Sequence, residues 1–74
     1  MIETRDSFIQ AIKKLGFKEV SQFGDYKLNN YKVSIQLYSR YTDITFSHDK
    51  SKMYISFSYF NDAYKEILSK VYNN

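Results

Sequence analysis

In three runs between Tyr31 and Tyr59 this chain sets apolar side chains at every second position, and that alternation constrains its fold more than any other feature. Tyr31, Val33, Ile35 and Leu37 alternate with Lys32, Ser34, Gln36 and Tyr38. Thr42, Ile44 and Phe46 alternate with Tyr41, Asp43, Thr45 and Ser47; Met53, Ile55, Phe57 and Tyr59 alternate with Tyr54, Ser56 and Ser58. A period of two belongs to strands with one face on a core and the other in water. Asn29-Asn30 suits a two-residue hairpin turn, because Asn tolerates positive φ, and it implies an earlier strand holding Tyr26 and Leu28. Upstream, Phe17, Val20 and Phe23 share no parity, and a bulge or bend at Gly24 accounts for that loss.

On either side the period changes to 3.6. Phe8, Ala11, Ile12 and Leu15 line one helical face, as do Tyr64, Ile67, Leu68 and Val71. Thr4 or Asp6 can cap the first helix, Gly16 suits its left-handed C-terminal position, and Lys13 and Lys14 favour its last turn. Asn61 is the expected N-cap of the second helix, with Asp62 in its first turn.

Strand pairing can be read from face matching, since a slip of one residue turns every side chain over. A two-residue turn at Ser39-Arg40 pairs Leu37 with Thr42, Ile35 with Ile44 and Val33 with Phe46. The other face then joins Tyr38 to Tyr41, Gln36 to Asp43 and Ser34 to Thr45. A four-residue loop over His48-Asp49-Lys50-Ser51 pairs Phe46 with Met53, Ile44 with Ile55 and Thr42 with Phe57, and sets Thr45 against Tyr54. The expected fold is α+β: helix, four-stranded antiparallel meander, helix, with both helices on one sheet face in a two-layer sandwich.

At 74 residues this is one domain, residues 1–74, with a thin stability margin. The chain has no Cys, which excludes a disulfide framework, thiolate metal sites and a cysteine nucleophile. The acidic residues at the start and the lack of a long apolar run point to a cytoplasmic protein with no membrane segment. The net charge is +3, and its excess lies in residues 26–60, where Lys27, Lys32, Arg40, Lys50 and Lys52 face only Asp43 and Asp49. A basic surface attracts nucleic acid or acidic partners. Small size and richness in Lys, Asn, Ile and Tyr suit a phage or mobile-element protein.

Catalytic chemistry finds little support. His48 is the only histidine and falls in an expected solvated turn. Asp43 and Asp49 do not converge on a metal site, and Gly16 and Gly24 are too far apart for a phosphate loop. The expectation is a non-enzyme with no metal and no small-molecule cofactor. The stretch LGFKEVSQFGDYKLNNYKVSIQL resembles the opening half of HicA-type mRNA-interferase toxins, small α-β-β-β-α domains, through Gly16-Phe17, Val20 and Gly24 before a hairpin. That family carries a catalytic histidine just after the glycine. Asp25 and Tyr26 stand there in this chain, so the resemblance implies RNA as a partner without implying the nuclease activity.

The uncovered sheet face carries the functional expectation. Tyr38, Tyr41 and Tyr54 share it with Gln36 and Asp43, with Lys32 and Lys52 at the rim and Arg40 flanking it. Antiparallel sheets often wet one face, and Tyr is a good strand former, so the pattern also suits plain solvent exposure. Tyrosine equally offers rigid, amphipathic contact area at low entropic cost. The leading expectation is stoichiometric protein–protein binding, as by a small inhibitor or adaptor of a host factor. The alternative is RNA or single-stranded DNA, with bases stacking on tyrosines and phosphates on lysines. Self-association through a sheet edge or the tyrosine-bearing face is the third.

Overall fold

The computed structural model describes residues 1–72, so Asn73 and Asn74 lie outside the described residues. Helix α1 (Arg5–Leu15) begins with a capping box: Thr4 Oγ1 accepts the Ser7 N–H at 3.1 Å, and Ser7 Oγ accepts the Thr4 N–H at 3.3 Å. It stops at Gly16, whose φ of 115° lets the Gly16 and Phe17 N–H groups close on the carbonyls of Lys13 and Ile12. Five antiparallel strands follow in spatial order of sequence: β1 (Lys18–Ser21), β2 (Asp25–Leu28), β3 (Tyr31–Leu37), β4 (Thr42–His48) and β5 (Met53–Phe57). Helix α2 (Phe60–Tyr72) completes the chain.

The sheet therefore has one strand more than the expected four. Strand β1 escapes the alternation because it is bulged: Glu19 pairs with Tyr26 and Ser21 with Asp25, leaving Val20 as an extra, exposed residue. The bend expected at Gly24 is present, with φ at 93° and the Gly24 carbonyl accepting the Ile35 N–H at 2.9 Å.

Every expected β3–β4 pair forms, from Leu37↔Thr42 through Val33↔Phe46, and extends to Tyr31↔His48. The β4–β5 pairing is offset by two residues from expectation. Phe46 opposes Ile55, Ile44 opposes Phe57 and His48 opposes Met53. A two-residue shift preserves parity, so face matching cannot detect it. Strand β4 continues to His48 because the Asp49 N–H still donates to the Asn30 carbonyl, and the turn back is made by Lys52 at φ 58°. Tyr59, expected on β5, lies beyond it and is exposed.

Val33, Ile35, Ile44 and Phe46 are buried on one sheet face, with Tyr26 beside them. They meet Phe8 and Ile12 from α1 and Ala63 and Ile67 from α2 in one core cluster. Helix α2 packs on β4 and β5, and α1 packs on α2, with the Phe8 and Phe60 rings 5.2 Å apart. Asn61 is not the cap of α2. It sits in the first turn, where its Oδ1 accepts the Ile2 N–H at 3.2 Å and ties the chain's start to the helix. Among the described residues no helix is long and apolar enough to cross a membrane.

Candidate functional site

The pleat turns the even-numbered residues of β3 and the odd-numbered residues of β4 away from the helices, which makes the opposite sheet face a polar surface. Cross-strand register divides that surface into two ends. At the β3–β4 turn the Tyr38 N–H donates to the Tyr41 carbonyl at 2.9 Å, and the two rings stack at 4.7 Å, tilted by 23°. Both rings are more than half exposed. Gln36 and Asp43 form the next pair along, and Gln36 Nε2 donates to the Phe23 carbonyl at 3.5 Å. This brings the β1–β2 turn alongside, with Phe23 72% exposed, while Leu37 is 60% exposed. Arg40 stands exposed in the turn itself.

Tyr54 does not join this group. It opposes Ser47, six residues along β4 from Tyr41, which at about 3.3 Å per residue separates the two tyrosines by roughly 20 Å. Tyr54 instead ends a cross-strand row that runs Lys18, Lys27, Lys32, Ser47, Tyr54. Lysines thus stand directly opposite one another on three adjacent strands, an arrangement that repulsion disfavours. Asp49 offsets part of it, with an oxygen 3.5 Å from Lys27 Nζ. Lys52 is exposed in the turn at this same end. Of the expected site residues, then, Tyr38, Tyr41, Gln36, Asp43 and Arg40 gather at one end, and Lys32, Lys52 and Tyr54 at the other.

Between the ends, Asp25 organises the face. Its carboxylate accepts Ser34 Oγ at 2.6 Å and Ser21 Oγ at 2.9 Å, and Ser21 Oγ in turn accepts the Phe23 N–H at 3.0 Å. The hydrogen bonds from Ser34 and then Ser21 hold the Asp25 carboxyl below its ordinary value against a smaller opposing effect of burial, and the nearby Lys32 charge adds the least. This network fixes the turn that presents Phe23.

His48 is the last residue of β4, half-buried, rather than a solvated turn residue. Its Nδ1 accepts the Ser51 N–H at 3.1 Å, and its ring meets Tyr31 edge-on at 4.6 Å. Among the described residues no three His, Asp or Glu side chains gather as a metal site. Phe23, Leu37 and Lys18 are the surface residues that sequence reasoning missed. Phe23 and Lys18 lie in the segment whose alternation the bulge erases, and Leu37 has core parity but projects past the helices. No family model, curated protein or solved structure matches this chain.

Proposed function

We propose that this chain is a non-enzymatic binding module that acts by occupying a protein partner, and that it grips that partner with the Tyr38–Tyr41 end of its sheet. One observation carries the reading: a stacked, half-exposed tyrosine pair with the exposed Phe23 in the neighbouring β1–β2 turn. Contiguous apolar and aromatic exposure costs solubility in a small domain, and covering it is what a partner would supply. Tyrosines and an arginine are the side chains that most often dominate binding energy, and Gln36 and Asp43 offer hydrogen bonds at the rim. Asp43 next to the rings suits a protein better than a polyanion.

The test is capture of partners on the immobilised chain from nuclease-treated extract, followed by titration of the purified partner. Tyr41→Ala should weaken binding roughly tenfold or more while leaving the fold intact. Unchanged affinity in a Tyr38→Ala/Tyr41→Ala double variant would place the contact elsewhere.

The lysine row favours a second reading, in which a single-stranded nucleic acid lies along Lys18, Lys27 and Lys32 and stacks a base on Tyr54. Lys32 and Tyr54 stand two strands apart, about 10 Å. Such binding must fall steeply with salt, and Lys32→Ala should flatten that dependence by about one charge.

A further inference from the structure

The two edges of the sheet differ, and the difference bears on how the molecule assembles. Edge strand β1 is four residues long, carries Lys18 and Glu19 and is broken by the Val20 bulge, all features that discourage pairing with another chain. Edge strand β5, Met-Tyr-Ile-Ser-Phe, has no charge, no proline, no glycine and no bulge. Nothing blunts it.

Ladder geometry gives the free groups on β5. The Tyr38–Tyr41 hydrogen bond fixes the alternation along β4, so Thr42, Ile44, Phe46 and His48 direct their backbone groups toward β5. The partners of Ile44, Phe46 and His48, which are Phe57, Ile55 and Met53, point back at β4. Tyr54 and Ser56 therefore turn their N–H and C=O groups outward, from the open edge. The core-facing side chains of β5 tell the same story: Met53, Ile55 and Phe57 are only half-buried, whereas Ile44 and Phe46 one strand inward are fully buried.

We propose that β5 is a homodimerisation edge, pairing antiparallel with β5 of a second copy about a two-fold axis at Ile55. A second copy fits because the strand is self-complementary in this one register. With Ile55 on the axis, Tyr54 meets Ser56 of the other copy and Ser56 meets its Tyr54, so that all four outward backbone groups on each strand are paired, in four hydrogen bonds. The alternate positions bring Ile55 against Ile55 and Met53 against Phe57, the closely spaced pairs of an antiparallel ladder, and cover the half-exposed apolar row. No like charges oppose within the strand. Moving the axis onto Tyr54 or Ser56 pairs only that residue with its own copy within the strand and leaves two hydrogen bonds, and a one-residue slip in register sets outward residues against inward ones and loses them all. The product is one continuous ten-stranded sheet whose Tyr38–Tyr41 ends lie on opposite sides, a bivalent form of the binding module. This assembly does not depend on what the tyrosine end binds.

Ser56→Pro is the discriminating variant. It removes an N–H that β4 does not use, so an edge strand accommodates it in the monomer, while pairing across the axis is blocked. Sedimentation velocity from about 1 μM to about 1 mM should show wild type reaching twice the chain mass, and Ser56→Pro remaining at the chain mass with an unchanged circular dichroism spectrum. Wild type that stays monomeric over that range overturns the proposal, and so does a Ser56→Pro protein that still dimerises. Should the variant fail to fold, amide exchange in wild type decides. Protection of the Tyr54 and Ser56 amides that rises with protein concentration supports the edge, and fast, concentration-independent exchange refutes it.

Discussion

Replacing Gly24 by Ala should be the most damaging small change in the sheet. At φ 93° any L residue is strained, by about 1–2 kcal/mol. Space is the second problem, because a Cβ on Gly24 would lie 2.6 Å from the Ile35 carbonyl oxygen. Ordinary C–H···O contacts in sheets span about 3.3–3.6 Å, so the backbones must part by about 0.7 Å or more. Parting them stretches the 2.9 Å bond from Ile35 N–H to the Gly24 carbonyl, which contributes about 1 kcal/mol. The total is about 2–3 kcal/mol, against about 4–11 kcal/mol for a domain of this length. In a domain this small that lowers the thermal midpoint by roughly 10–20 °C. Gly16 supplies the control: its φ is 115°, but its Cβ would meet only the tip of Leu28, at 3.2 Å. Gly16→Ala should thus cost only the backbone strain, about 1–2 kcal/mol and roughly 4–16 °C. Thermal melts followed by circular dichroism would compare the two. A Gly24→Ala midpoint within a few degrees of wild type, or above that of Gly16→Ala, would refute the close approach of β2 and β3.

Two further outcomes probe the core and the polar face. Ile44→Ala, at a fully buried position on the central face, should cost about 2–5 kcal/mol in chemical denaturation, and a loss below about 1 kcal/mol would mean that the site is not packed. Asp25 has a lowered pKa in the fold, so its contribution is present above about pH 4 and is lost as pH falls through the lower, folded value. Asp25→Asn should therefore be less stable than wild type at pH 7, with the gap closing in acid; a gap independent of pH from 7 to 2 would discount the Ser34 and Ser21 bonds.

Legibility in the sequence followed what alternation can and cannot encode. Both helices were readable because apolar spacing, Thr4 and Gly16 agree at every level. The β3–β4 hairpin was readable to the residue because Ser39-Arg40 fixes its register as well as its parity. Strand β1 was not, since a single extra residue at Val20 cancels the period over a segment only four residues long. The β4–β5 register failed for a different reason. Any even shift keeps apolar beside apolar, and only the left-handed Lys52 and the Asp49–Asn30 bond distinguish the true one. The N-cap of α2 misled because Asn61 spends its side-chain oxygen on the Ile2 N–H, a contact between residues 59 apart in sequence.

That two-residue offset reorganises the candidate site. In the expected register Tyr54 would oppose Thr45 and extend a tyrosine field from the β3–β4 turn. In the observed one it opposes Ser47 and closes the row begun by Lys18, Lys27 and Lys32. Aromatic side chains that pair with each other leave little ring face for a base, and Tyr38 and Tyr41 are already stacked at 4.7 Å. A lone exposed ring flanked by cations has its face free, which is what base stacking needs. Chemistry suited to a protein partner and chemistry suited to a polyanion thus occupy opposite ends of one face, about 20 Å apart. A single partner engaging both would have to span the length of β4, whereas two different partners need not compete. Binding measurements on Tyr41 and Lys32 variants against the same partner therefore separate these cases: coupled losses mean one extended ligand, and independent losses mean that the ends act separately.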